Sequence, residues 1–312
     1  MQVFSIAIHG GAGTILKSKM TEALEETYHK GLQEALYAGY TVLQKGGSSV
    51  DAVKTAVIHL EDNILFNAGR GSVFTYKGLH EMDASVMDGK TLDAGAVAGV
   101  SNIRNPVELA YEIMQHSGHV FLSGADAKEF ALKRGIRMEN DDYFFSQYRY
   151  DQWVAMRDSD GYALDHSLPD AKEKKFGTVG AVACDAYGNV AAATSTGGMT
   201  NKKYGRIGDT PLIGAGTYAN NKTCAVSCTG HGELFIKAVA AYDVSCLMEY
   251  RGMSLEEAAE EVTMKKLVSI GGEGGMIGAD AQGNTVMVFN SEGMYRAMKN
   301  SRGEEVIAVY KD

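Results

Sequence analysis

Lys174-Lys175-Phe176-Gly177-Thr178-Val179-Gly180-Ala181-Val182-Ala183 marks the point where a charged, turn-rich segment stops and an apolar strand begins with a threonine. A threonine hydroxyl is a poor nucleophile until a base stands beside it. If the bond before Thr178 is cut, the freed α-amine becomes that base. Such amines titrate near ~7.7–8.0, so part of the population is neutral at neutral pH. One cleavage would make nucleophile and base from a single residue. Gly-Thr alone carries no such meaning, because many strands begin that way; the residues around it decide.

The bulk composition excludes several classes. With 30 Lys and Arg against 39 Asp and Glu, a formal charge of −9 argues against a phosphate-backbone partner. No apolar run approaches the ~18 residues of a membrane span. Met1-Gln2-Val3-Phe4-Ser5-Ile6-Ala7-Ile8-His9 has no basic n-region, so it reads as a strand rather than a signal peptide and points to the cytoplasm. The 312 residues allow two average domains or one large layered one, with a sizeable core. Cys184, Cys224, Cys228 and Cys246 match neither a zinc knuckle nor a redox pair and read as reduced, buried apolar residues. With 37 glycines and 3 prolines, tight turns and close backbone approaches are expected without disorder.

An apolar run at 3–8 leads into His9-Gly10-Gly11-Ala12-Gly13. Leu24, Tyr28, Leu32, Ala35, Leu36 and Leu43 recur at helical spacing over 21–44, and Gly46-Gly47 stops the helix. A second helix starts at Ser49 and runs to about Leu60. Strands are expected at 80–88, 95–101 and 119–122, and helices at 106–116 and 124–134. Residues 156–176 mix both charges without a period, as a solvated linker does. Beyond Thr178, strands at 178–184 and 189–194 flank a turn. A strand at 223–229 enters a long helix at 232–250, and Ser254 caps a helix to about 269. Two strands joined by Asp280-Ala281-Gln282-Gly283-Asn284 form a hairpin. Periodicity by itself supports mixed α and β.

Arg206 and Asp209 stand among glycines in Gly205-Arg206-Ile207-Gly208-Asp209. Arginine reads a carboxylate with two parallel N–H bonds, and an aspartate accepts from an ammonium, so the pair suits a zwitterion. A surface ion pair is the plain alternative. Thr196, in Thr194-Ser195-Thr196-Gly197-Gly198, is either a capping hydroxyl or a partner of the nucleophile. Thr229 and Gly230 open Thr229-Gly230-His231-Gly232-Glu233 at a strand-to-helix junction, where unpaired N–H groups suit an oxyanion. His9-Gly10-Gly11-Ala12-Gly13 lacks the lysine of a P-loop and the full dinucleotide fingerprint, which disfavours a nucleotide.

With Gly214-Ala215-Gly216 and Phe66-Asn67-Ala68-Gly69 added, these motifs resemble the plant-type asparaginase / isoaspartyl peptidase family of N-terminal-nucleophile hydrolases. The resemblance spans nearly the whole chain and is weakest at about 135–176. It implies an α+β fold, a four-layer αββα sandwich forming one domain. Self-cleavage at Gly177-Thr178 would give fragments 1–177 and 178–312 that stay associated, and two such heterodimers would pair. The implied activity is hydrolysis of β-aspartyl dipeptides and L-asparagine, with no nucleic acid or membrane partner.

The resemblance also assigns roles. Thr178 is the nucleophile, Thr196 its hydrogen-bonding partner, and Asn67 touches the nucleophile region. Thr229 and Gly230 form the oxyanion hole, Arg206 takes the substrate carboxylate, Asp209 takes its amine, and Gly232 lines the pocket. His231 stays structural, since Thr178 supplies its own base. The chemistry needs no cofactor. A structural sodium ion is implied on the main-chain carbonyls of Leu60, Glu61, Asn63, Phe66, Ala68 and Arg70, which suits a hard cation.

Two rivals use the same nucleophile, a glycosylasparaginase and a threonine-dependent endopeptidase. Both resemble one another in carrying Asp before the threonine, where this chain has Gly177. An uncleaved aspartate-binding protein, from a different class, would keep Arg206 and Asp209 without needing Thr178, Thr196 and Thr229.

Overall fold

The computed structural model describes residues 3–157 and 177–311. The first half runs β1 (Ser5–Gly13), α1 (Glu22–Gln44), α2 (Ser49–Asp62), β2 (Met82–Asp88), β3 (Ala94–Val100), α3 (Pro106–His116), β4 (Phe121–Ser123), α4 (Gly124–Lys133), α5 (Asp141–Phe144) and α6 (Gln147–Met156). The helix starts follow local chemistry. Thr21 and Ser48 accept from the backbone N–H groups of Leu24 and Asp51, and a proline stands in the first turn of α3. The expected linker at 156–176 begins on the last residue of α6. Apart from Arg157 its remainder lies outside the described residues.

The second half holds β5 (Val179–Cys184), β6 (Val190–Thr196), β7 (Thr217–Ala219), β8 (Cys224–Gly230), α7 (Gly232–Ala238), α8 (Ala240–Arg251) and α9 (Leu255–Glu260). A π-helical turn (Glu261–Lys266) joins α9 to α10 (Leu267–Ser269), and β9 (Gly274–Asp280), β10 (Thr285–Phe289), β11 (Gly293–Asn300) and β12 (Glu305–Tyr310) close the chain.

Among the described residues the strands form two sheets, in the orders β12-β11-β1-β5-β6-β2-β3-β4 and β10-β9-β8-β7. Strand alternation distributes the core. Ile6 and Ile8 of β1 join Leu32, Leu36, Val53 and Val57 beneath the first helices, while Ala7 turns to Val182, Ala192, Ala225 and Ile277 between the sheets. Val226 and Met276 meet Phe235, Val244 and Leu255 under α7–α9. The molecule is a four-layer αββα sandwich.

Two readings change and one element is new. The strand expected at 3–8 runs on through the glycine-rich 9–13 segment as β1, bulged between His9 and Gly11 where it pairs with β11. Gly10 permits this course, because a Cβ there would lie 2.4 Å from the Phe66 ring. The helix expected at 232–250 breaks at Val239, whose φ is 51°. The N–H groups of Ala241 and Tyr242 then bond to the carbonyls of Ala215 and Gly214, at 3.1 and 2.8 Å. The closing hairpin of β11 and β12 was not anticipated at all.

Candidate active site

Thr178 stands at the mouth of β5, between β1 and β6, and is buried. Its Oγ1 donates to Thr196 Oγ1 at 3.2 Å, and its carbonyl accepts from His9 Nδ1 at 2.9 Å. The preceding carbonyl, that of Gly177, is doubly held. Asn67 Nδ2 donates to it at 2.8 Å and Thr196 Oγ1 at 2.9 Å. Asn67 is itself fixed: its other amide hydrogen goes to the Gly198 carbonyl at 2.7 Å, and its Oδ1 accepts from Val73 N–H at 3.0 Å. Thr196 Oγ1 also accepts from Gly198 N–H at 3.0 Å. Two donors therefore converge on one peptide carbonyl, with a hydroxyl on the next residue.

A narrow cleft of about 10 Å³, room for roughly one water, opens beside this carbonyl, and Gly177, Thr178, Thr196, Arg206, Asp209, Thr210 and Gly230 line it. Asp209 is buried, and its Oδ2 has no hydrogen-bond partner among the described residues. Burial pushes its carboxyl up to about 7, against the pull of the nearby Arg206 charge. Gly232 borders both groups: a Cβ there would lie 2.8 Å from Asp209 Oδ1 and 3.0 Å from Arg206 Nη2.

Arg206 is engaged in a way the sequence did not suggest. Its Nε and Nη2 donate to the two carboxylate oxygens of Glu233, each at 2.9 Å. His231 Nε2 lies 3.4 Å from the same carboxylate. Two of the five guanidinium N–H groups are thus committed, and the others remain for a ligand.

Thr229 and Gly230 end β8, at the strand-to-helix junction expected from the sequence. Gly230 pairs with Gly274, and His231 is the cap residue of a seven-residue α7. The site therefore meets a strand end, with Gly230 on the cleft wall. Thr229 Oγ1 accepts from Ala12 N–H at 3.3 Å, which ties it to β1 and leaves its own hydrogen for another acceptor.

The loop after α2 carries the residues singled out for a cation. A Cβ on Gly69 would lie 2.5 Å from the Glu61 carbonyl oxygen, and one on Gly71 would lie 2.1 Å from that of Phe66 and 2.7 Å from that of Ile64. Glycine at both places leaves a cradle of carbonyl oxygens, a donor set that fits a hard monovalent cation. Among the described residues no group of three or more His, Cys, Asp or Glu side chains is placed to hold a metal. The loop is also gripped by Arg149, fully buried, whose Nε donates to the Gly71 carbonyl at 3.0 Å and Nη2 to that of Leu65 at 3.4 Å. Sequence reasoning missed Arg149 and Glu233; Arg149 stands in a mixed polar and aromatic helix, where nothing local marks it as buried.

Residues 1–309 match the asparaginase family. The chain is 52% identical over 308 residues to the isoaspartyl peptidase of Salmonella typhimurium, an overlap of 98% of each chain. It is 51% identical over 308 residues to the isoaspartyl peptidase of Escherichia coli, covering 98% of this chain and 96% of that one. Against the human isoaspartyl peptidase/L-asparaginase the identity is 41% over 294 residues, covering 93% and 91%. A match of this length, with end-to-end relatives of this similarity, means that the chain belongs to the asparaginase family.

Proposed function

We propose that the protein is a self-cleaving amidohydrolase that acts on β-aspartyl peptides and L-asparagine through Thr178. The observation that carries this reading is the Gly177 carbonyl, gripped by Asn67 and Thr196 with the Thr178 hydroxyl alongside. In the precursor, Thr178 Oγ attacks the Gly177 carbonyl carbon. Asn67 and Thr196 donate to the oxygen as negative charge grows on it. The Oγ proton passes to the departing nitrogen, leaving an ester that water opens to a Gly177 carboxylate and a free Thr178 amine. The cleft is small while Gly177 occupies it, so its departure supports a role in making room for substrate.

In the mature enzyme the amine takes the Oγ proton, and Oγ attacks the side-chain carbonyl of the substrate. The Thr229 hydroxyl and Gly230 N–H stabilise the oxyanion. The amine returns the proton to the leaving ammonia or peptide amine, and water then releases aspartate from the acyl-enzyme. The substrate carboxylate binds the free N–H groups of Arg206, and its ammonium binds Asp209, beside Gly232.

A sodium ion on the carbonyls of Leu60, Glu61, Asn63, Phe66, Ala68 and Arg70 would stiffen the loop that presents Asn67. Exposed Tyr242, Tyr250, Met264, Val268 and Ile270 on the outer helices of the small sheet support pairing of two αβ units. Four unbridged cysteines suit a reducing compartment such as the cytoplasm. No helix among the described residues is long and apolar enough to cross a membrane.

Intact mass after a day at neutral pH, followed by assays with β-Asp-Leu and L-asparagine, tests the reading. Two species matching 1–177 and 178–312, with leucine and ammonia released, are expected. A single stable chain of 33.5 kDa without turnover would overturn it.

A further inference from the structure

A buried line of hydroxyl groups leads away from the nucleophile, and the chemistry proposed above uses none of it. It starts at His9, whose Nδ1 lies 2.9 Å from the Thr178 carbonyl oxygen and whose Nε2 lies 2.9 Å from Ser227 Oγ. Ser227 Oγ is 2.8 Å from Thr194 Oγ1, which contacts Thr217 Oγ1. Thr217 Oγ1 is 2.8 Å from Ser85 Oγ, and Ser85 stands 2.7 Å from the carbonyl of Thr210, next to Asp209. His9 and all four hydroxyl residues are fully buried. They come from β1, β8, β6, β7 and β2, so the line joins both sheets.

Proton counting fixes the ring. A carbonyl only accepts, so Nδ1 carries the hydrogen. Burial holds the imidazole down at about 3, so the ring is neutral near pH 7 and Nε2 must accept, from Ser227. Ser227 then has no second hydrogen to give and takes one from Thr194, which in turn takes one from Thr217. One tautomer orders the line from His9 to Thr217, and Ser85, with a single hydrogen, gives it either to Thr217 or to the Thr210 carbonyl. β5 makes way for it with Gly180, where a Cβ would lie 2.0 Å from Ser227 Oγ and 2.5 Å from His9 Nε2.

We propose that His9, locked in its Nδ1–H tautomer by this hydroxyl line, is a positioning residue that clamps the mature N-terminal threonine by its carbonyl. The inference rests on Thr178 being that N-terminal nucleophile. Before cleavage, peptide bonds tether Thr178 on both sides. Afterwards the bond to Gly177 is gone, and rotation about the remaining backbone would swing the amine and Oγ off line. The His9 bond holds the Thr178–Val179 peptide plane from which the amine and Oγ project, and alignment of this kind governs turnover rather than substrate affinity. Arg206 and Asp209, which hold the substrate, make no contact with the clamp. The loss of His9 therefore falls on kcat, while the first cleavage, made on a tethered residue, proceeds.

The test compares His9→Leu, His9→Asn and Ser227→Ala with the wild-type enzyme after maturation, using β-Asp-Leu kinetics and the ¹⁵N spectrum of the histidines. His9→Leu is expected to lower kcat about 10-fold or more, with KM within about 2-fold. His9→Asn, which keeps a donor in the Nδ1 position, recovers most of that loss. In Ser227→Ala kcat falls several-fold, and the Nε2 resonance of one non-titrating ring shifts as it loses its hydrogen bond, while Nδ1 keeps its hydrogen on the Thr178 carbonyl. Full kcat in His9→Leu, a loss confined to KM, equal losses in the Asn and Leu variants, or a wild-type ring in the Nε2–H form would each overturn the proposal. A wild-type chain that neither cleaves nor turns over would instead sink the reading of Thr178. The ring spectrum still reports on the clamp in that case.

Discussion

In its proposed role as acceptor of the substrate ammonium, Asp209 would couple recognition to pH. Its Oδ2 is buried without a partner among the described residues, and burial holds its carboxyl up at about 7. A raised value means that the acid is already protonated where an ordinary aspartate is charged, and only the carboxylate accepts from an ammonium. KM for β-Asp-Leu should therefore rise as pH falls through about 7. In Asp209→Asn, KM at pH 8 should be at least ~10-fold higher and the rise below pH 7 should vanish, which a KM profile from pH 5 to 9 checks. Gly232→Ala places a methyl 2.8 Å from Asp209 Oδ1 and 3.0 Å from Arg206 Nη2. It should raise KM by about 10-fold while two fragments still form on a denaturing gel. The cluster around Thr178 is legible through the family motifs it belongs to. Read alone, Thr178 opens an ordinary strand, Thr196 caps a turn, and Arg206 with Asp209 makes a surface ion pair. Glu233 is hidden, because an acid in a helix's first turn is ordinary and only the fold carries it to Arg206. Ser227, Thr194 and Thr217 are hidden for a similar reason, since hydroxyls are common in strands.

At the scale of elements, the break at Val239 shows where pattern reading fails. The stretch 232–250 keeps its helical composition, and the interruption comes from carbonyls of Gly214 and Ala215 that capture the next turn. Val239 is a β-branched residue at a φ of 51°, half exposed, and carries the strain. Val239→Gly should stabilise the protein by about 1 kcal/mol, seen as a raised Tm in calorimetry, with kinetics unchanged. An unchanged or lower Tm would mean that the valine packs well enough to offset its backbone. The helices at 22–44 and 49–62 follow from apolar spacing and caps and are found within a residue or two of expectation. β1 runs on through its glycines because β11 supplies a pairing partner from the far end of the chain, information no local window contains.

Across the whole molecule, the strand order interleaves the two halves. β1 lies between β11 and β5, and β2 pairs with β6, so residues before and after Gly177 alternate within one sheet. Cleavage removes one peptide bond and none of these ladders. The fragments should elute as one species in gel filtration and separate only in denaturant; separate elution under native conditions would contradict the interleaving. Layer count was not readable from periodicity, because strands such as β5 and β6 are buried on both faces and lose the alternation that marks a half-exposed sheet. The resemblance supplied the four layers, and the alternation of Ile6, Ala7 and Ile8 between two cores shows why they hold.

The grip of Asn67 and Thr196 on the Gly177 carbonyl has a kinetic meaning for a cell. The donors, the Thr178 hydroxyl and the target bond all belong to one chain and are buried in it, so the proposed cleavage needs no second protein molecule. Under the proposed self-cleavage, maturation should be first-order, with a half-time that dilution does not lengthen and overexpression does not shorten, which intact mass over time at two protein concentrations checks. Newly made protein passes through a fixed latent interval before it can act, whatever its concentration.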